Sequence, residues 1–170
     1  MKKAGVLFTV VIFLLLLIGG LFFMFFEKRQ FVPKVKSGEF PFSLTYKVDN
    51  GNVVNISGVY ICEFDGIGWD TGRGFYRKWK GYVKETGLEN VLIFEDSNTR
   101  IFCRVGDPEY LMGDYKYLAW ENISLSPPHL YLKKNSNNSS YLSSEDIKNK
   151  YGIEIITWNF SEPIKNQFKK

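Results

Sequence analysis

Glu63, Asp65 and Asp70, followed closely by Arg73 and Arg77, stand in the stretch YICEFDGIGWDTGRGFYRKWKGYV (Tyr60–Val83), where acids, glycines and basic residues crowd together as in many ligand-binding loops. Phosphate binding is the first chemistry such a set invites. A dinucleotide fingerprint needs Gly-x-Gly-x-x-Gly between a strand and a helix, so that backbone N–H groups and the helix N-terminus meet the pyrophosphate. Counted from Gly66, the third glycine position holds Thr71, and GFYRKWKGYV then alternates like a strand. No Walker-type lysine follows a correctly spaced glycine. Calcium is the second: Asp65 and Asp70 offer oxygens, and GIGWD matches one Gly-x-Gly-x-Asp unit of a calcium-binding β-roll. A single copy lacks the stacked neighbours that complete that site, and the EF-hand order of acids is absent. Glycine and aspartate tolerate unusual dihedrals, so the glycine-rich centre reads as an elaborate turn between two strands.

Catalytic sets are sparser still. His129, in SPPHL, is the only histidine, so a serine or cysteine triad would hang on one unaccompanied residue. Paired carboxylates of the glycosidase kind stay open, because acids are many and their separations are invisible in sequence. Two cysteines and one histidine fall short of a four-ligand zinc site without carboxylates. The expectation is no catalytic residue, no cofactor and no metal.

After the turn, Tyr76, Lys78, Lys80, Tyr82 and Lys84 share one face of a strand, with Phe75, Trp79 and Val83 on the other. A basic, aromatic stripe of this kind can hold an anionic polymer or lipid head groups through charge and stacking. Equally, lysines solvate the outer face of many ordinary strands. Arg77 falls on the apolar face and needs a partner there, with Asp65 or Glu63 the nearest acids in sequence. Cys62 and Cys103 both fall in apolar runs, which suits a disulfide in an oxidising compartment or two buried thiols.

The elements that position these residues read as strands. FPFSLTYKV alternates, with Phe40, Phe42, Leu44, Tyr46 and Val48 apolar, and Pro41 marks a strand start or an edge. Asp49–Gly51 is a hairpin signal, and VVNISGVYICEF, GFYRKWKGYV, NVLIFED, TRIFCRV, YKYLAW and HLYLKK follow as further strands. KKNSNNSSYLSS (Lys133–Ser144) reads as a polar loop. SSEDIKNKYG reads as a two-turn helix with Ser144 as N-cap and Gly152 as stop, and IEIITW as a last strand limited by Pro163. The fold class expected is mainly β, an antiparallel sandwich or partly open barrel with one short C-terminal helix, plus an N-terminal transmembrane helix.

That last element is AGVLFTVVIFLLLLIGGLFFMFF, Ala4–Phe26, without a charge or a proline. As a helix it spans roughly 34 Å, slightly more than the hydrocarbon layer of a bilayer. It is longer than the apolar core of a cleaved signal peptide, although cleavage near Gly20 is the rival. Lys28, Arg29, Lys34 and Lys36 after the span outnumber Lys2 and Lys3 before it, which favours a cytoplasmic C-terminus by charge count. Large C-terminal domains translocate largely regardless of charge, and the expectation is N-inside, C-outside. The 170-residue chain then divides into an anchor (1–30), a linker (31–38) and an extracytoplasmic β-rich domain (39–170). Of 22 basic and 18 acidic residues, the first thirty positions hold Lys2, Lys3, Lys28, Arg29 and Glu27, which leaves 18 and 17 beyond Gln30. A domain this close to neutral carries no footprint for nucleic acid.

Three blocks, CEFDGIGWDTGRGFYRKWKGY, PEYLMGD and KYGIEIITWNFSEPIKNQF, together resemble an uncharacterised family of small membrane-anchored extracytoplasmic proteins of Gram-positive bacteria. The resemblance covers most of the chain after Phe40 and implies an address, with no catalytic residue or cofactor to carry over. The function expected is a membrane-tethered binding or interaction module whose partner is an envelope protein or an anionic surface polymer. The alternative is an accessory or sensor subunit acting through its transmembrane helix, and a carboxylate-based hydrolase comes third.

Overall fold

A computed structural model describes residues 11–20, 22, 29–49, 51–114, 129–134, 139–166 and 168. The chain is mainly β and antiparallel, and the sheet is curled. One four-stranded layer has the order β3–β2–β1–β8, from β1 (Ser37–Val48), β2 (Val53–Asp70), β3 (Gly74–Val83) and β8 (Ile153–Phe160). The other has the order β4–β5–β6–β7, from β4 (Asn90–Glu95), β5 (Thr99–Arg104), β6 (His129–Lys134) and β7 (Ser139–Leu142). Two short helices, α1 (Pro108–Leu111) and α2 (Ser144–Tyr151), sit in the connections.

Alternation along β1 builds the core. Phe40, Phe42, Leu44 and Tyr46 are at most 5% exposed, while their odd-numbered neighbours face outward. Phe40 and Phe42 pack with Tyr60, Cys62, Val105 and Leu111, and Leu44 and Tyr46 pack with Ile101, Cys103, Leu130 and Ile147. Each cluster draws on both layers, so the layers share one interior. Pro41 lies in a strand paired on both sides, which its missing N–H should forbid. It is tolerated because β8 begins to pair only at Phe42, opposite Phe160, and the free Pro41 carbonyl accepts from Ser161 Oγ at 2.9 Å.

GIGWD is not an elaborate turn: β2 runs on to Asp70, and the turn is only Thr71–Arg73. Gly66 serves a bulge instead, since the pairing with β3 shifts between Phe64 and Gly66, with Gly66 at φ +106, while Gly68 stays in the ladder opposite Tyr76, whose ring fills the space a Cβ would take. The extra residue swaps parity and turns Ile67 and Trp69 toward the face that Phe64 occupies below. Ser139–Leu142, expected in a polar loop, pairs with β6 as β7; residues 135–138 and the expected strand YKYLAW lie outside the described residues. The linker is docked on the domain, because Phe64 N–H donates to the Lys36 carbonyl and Asn166 bonds both the N–H and the carbonyl of Val35.

The expected helix forms with its cap one residue earlier, as the Ser143 hydroxyl accepts from Asp146 N–H. Gly152 ends it at φ +63, donating to the Lys148 carbonyl, with the Asp49 side chain against its Cα. Gly152→Ala should cost about 1–2 kcal/mol through the left-handed backbone, read as a lowered thermal midpoint.

Residues 11–20 are helical, and Val11 to Ile18 are each 43–69% exposed. Among the described residues no helix is long and apolar enough to cross a membrane. Most of the remaining Ala4–Phe26 run lies outside the described residues.

Candidate binding cleft

The β2–β3 hairpin, the start of β4 and the β5–α1 connection enclose a cleft of about 640 Å3. Its floor is made by a glycine. Gly81 on β3 has no Cβ, and the Tyr60 ring from β2 lies across the space a Cβ would fill. That brings the Tyr60 hydroxyl within 3.5 Å of the Gly106 carbonyl. Burial first, and then the nearby Cys62, push the phenol well above its ordinary range, so Tyr60 stays a neutral donor.

One wall is set by the N-terminus of α1. Asp107 Oδ1 caps the helix by accepting from the N–H groups of Glu109 and Tyr110, Pro108 takes the first helical position, and Oδ2 pairs with Arg104 at 3.0 Å. Glu109 in the first turn is half-buried. Desolvation, and then the charges of Asp107 and Asp114, raise its carboxyl above the usual range, against the pull of Arg73 and Arg104. Asp65 and Glu89 add carboxylates, Lys80 adds one cation, and Trp79 and Tyr141 bring aromatic surface. Four acids face two bases among these lining residues, so the cleft favours neutral or cationic groups that can also stack.

No family model, curated protein or solved structure matches this chain.

The stripe named from sequence is placed on one side of β3. Lys78 and Lys80 are exposed, and Tyr76 and Tyr82 are half-exposed, between inward-facing Arg77, Trp79, Gly81 and Val83; Lys84 follows just past the strand end. Acids from neighbouring strands join the stripe, which sequence could not show without the register. Lys84 pairs with Glu39 of β1 at 3.1 Å, and Glu63 of β2 stands directly opposite Lys80. The Tyr82 hydroxyl is raised by desolvation and then by its hydrogen bond to Glu63. Arg73 stacks on Tyr76 at 4.2 Å, and Lys80 lies 5.5 Å from the Tyr82 ring while also lining the cleft.

Arg77 finds neither Asp65 nor Glu63. Its Nη1 donates to Asp114 Oδ1 at 3.0 Å, and Trp79 Nε1 donates to Oδ2 of the same carboxylate at 3.0 Å. Both charged side chains are nearly inaccessible, at 6% and 4%. The guanidinium lies over Phe168 at 3.9 Å and near Phe31 at 5.5 Å, while its Nε has no partner among the described residues. Asp114 is aimed by the end of α1, where Gly113 takes φ +72 and Asp114 N–H donates to the Glu109 carbonyl.

Asp70 is occupied within its own turn, accepting from Gly72 N–H, Arg73 N–H and Arg73 Nε. Among the described residues no group of three or more histidines, cysteines or acids is placed to hold a metal ion. His129 opens β6 opposite Arg104 in the ladder.

The bridge considered between Cys62 and Cys103 is not formed. Both are free thiols at 0% exposure, Cys62 in the cluster of Phe40 and Phe42 and Cys103 in that of Leu44 and Tyr46. Burial pushes each thiol up to about 12. A maleimide should therefore modify neither in the native chain and both after unfolding, as read by mass spectrometry.

Proposed function

We propose that this chain is a membrane-tethered extracytoplasmic binding module. Its two layers serve as a β-sandwich, and the cleft beside Tyr60 takes up a neutral or cationic segment of an envelope polymer or protein. The resemblance to small membrane-anchored proteins of Gram-positive bacteria belongs to the same proposal. The observation that carries the binding role is the cleft, in which aromatic surface from Trp79 and Tyr141 borders four carboxylates around a hydroxyl that stays protonated. Support for the tether comes from the helical run at 11–20, whose side chains are apolar all round and exposed. Such a helix has no polar face to give to water, and lipid is its natural solvent.

The test titrates the detergent-solubilised full chain with three oligosaccharides, a glucosamine tetramer, its N-acetylated counterpart and a polyuronic acid, following tryptophan fluorescence. The cationic or the neutral oligomer should bind, and Tyr141→Ala should weaken that binding about tenfold, or about 1.4 kcal/mol. Binding of the polyuronic acid alone, or of none of the three, overturns the assignment of the cleft.

A carboxylate hydrolase is the second reading, favoured by the raised Glu109 carboxyl in a cleft that also holds Glu89 and Asp65. It requires turnover of a bound glycan that Glu109→Gln abolishes while binding persists.

A further inference from the structure

The β2–β3 hairpin extends past the shared interior, and the segment that precedes β1 comes to its inner face. Residues 31–36 run along it toward the tip: the Lys36 carbonyl meets Phe64 N–H, and Phe31 packs against Phe75 at 5.9 Å. Phe75 stands directly opposite Trp69 in the ladder, one pair short of the Asp70–Gly74 turn. Trp69 is left 61% exposed. Phe31 follows Phe26, the last residue of the apolar run, by only five positions, so the two are separated by at most ~18 Å even in a fully extended chain. Arg29, Lys34 and Lys36 are exposed along this segment, and Arg73 is fixed at the tip by Asp70.

We propose that the hairpin tip rests in the headgroup layer of the same bilayer that holds Ala4–Phe26, with Trp69 at the interface and the surrounding cations toward anionic lipid. This rests on the membrane tether proposed above. A tryptophan ring with one wet edge suits the interfacial zone, where indoles concentrate, and basic side chains flanking a span are drawn to anionic head groups. The tether supplies the proximity, and the docked segment 31–36 supplies the orientation. The hairpin would then act as a second foot that keeps the cleft at a fixed tilt over the membrane.

The full-length chain is reconstituted in phosphatidylcholine–phosphatidylglycerol vesicles carrying a nitroxide-labelled lipid. A polarity-sensitive fluorophore is placed on Thr71→Cys at the tip or on Asn98→Cys in the β4–β5 turn. Asn98 lies at the far end, since Ile101 and Cys103 of β5 pack with Leu44 and Tyr46, whereas Val105, just past the strand, packs with Phe40 and Phe42. The two native thiols are buried and leave no background. Label at position 71 should be quenched several-fold more than label at position 98, and Trp69→Ser should reduce the difference. Equal quenching in a chain that floats with the vesicles overturns the hairpin contact and leaves the tether standing. A chain that does not float with them removes both.

Discussion

Asp114→Ala should lower the stability of the β-domain by about 3–5 kcal/mol, as removing one partner of a buried ion pair does. The carboxylate receives Arg77 Nη1 on one oxygen and Trp79 Nε1 on the other, at 3.0 Å each. Without it, a guanidinium that is 6% exposed keeps its charge among Phe31, Phe168 and the Trp79 indole, with Nε already unpaired among the described residues. Desolvation of an unpaired cation outweighs the small gain from the freed carboxylate volume. The pair itself is a poor source of net stability, so Arg77→Met with Asp114→Leu should recover most of the loss. Urea unfolding followed by tryptophan fluorescence distinguishes the cases. A single-variant loss below about 1 kcal/mol, the range of exposed pairs, would mean that water reaches the pair.

Gly81→Ala should cost about 1–3 kcal/mol, as overpacking in a filled interior does. The new methyl collides with the hydroxyl end of Tyr60, whose Cζ and Cε1 lie at 2.6 and 2.8 Å from the ideal Cβ position. Tyr60 is 3% exposed and packed within the cluster of Phe40, Cys62 and Leu111, so its ring has little room to withdraw except into the cleft. The cost should therefore couple to residue 60. In the Gly81→Ala background, Tyr60→Leu should be markedly less damaging than in the natural chain. Additive losses would show that the clash is relieved elsewhere. Oligosaccharide binding should fall in the single variant, since the displaced ring occupies the floor of the site.

What could be read from sequence divides along physical lines. Period-two alternation in β1 and β3 decides which side chains face in, and the core list from Phe40 to Tyr46 follows from it directly. The short helix was legible because a serine cap, acids in the first turn and Gly152 all agree. Long-range facts were not. The β2 bulge is a one-residue shift of register, and glycines that build a bulge look the same in sequence as glycines that build a turn. The partner of Arg77 lies 37 positions away, behind a four-residue helix too short for any periodic signal. Glu39 and Glu63, which moderate the lysine stripe, join it only through strand pairing. The cleft was missed for the same reason, since Tyr60, Glu89, Arg104 and Glu109 come from separate elements.

The most direct measurement is topological. Asn98→Cys, in the exposed β4–β5 turn of the full-length chain, is treated in intact bacterial cells with a membrane-impermeant maleimide, and the natural chain with its two buried thiols serves as the blank. An extracytoplasmic β-domain should be labelled as fully before permeabilisation as after it. Labelling only after permeabilisation would place the domain, and with it the cleft, on the cytoplasmic side and contradict the account.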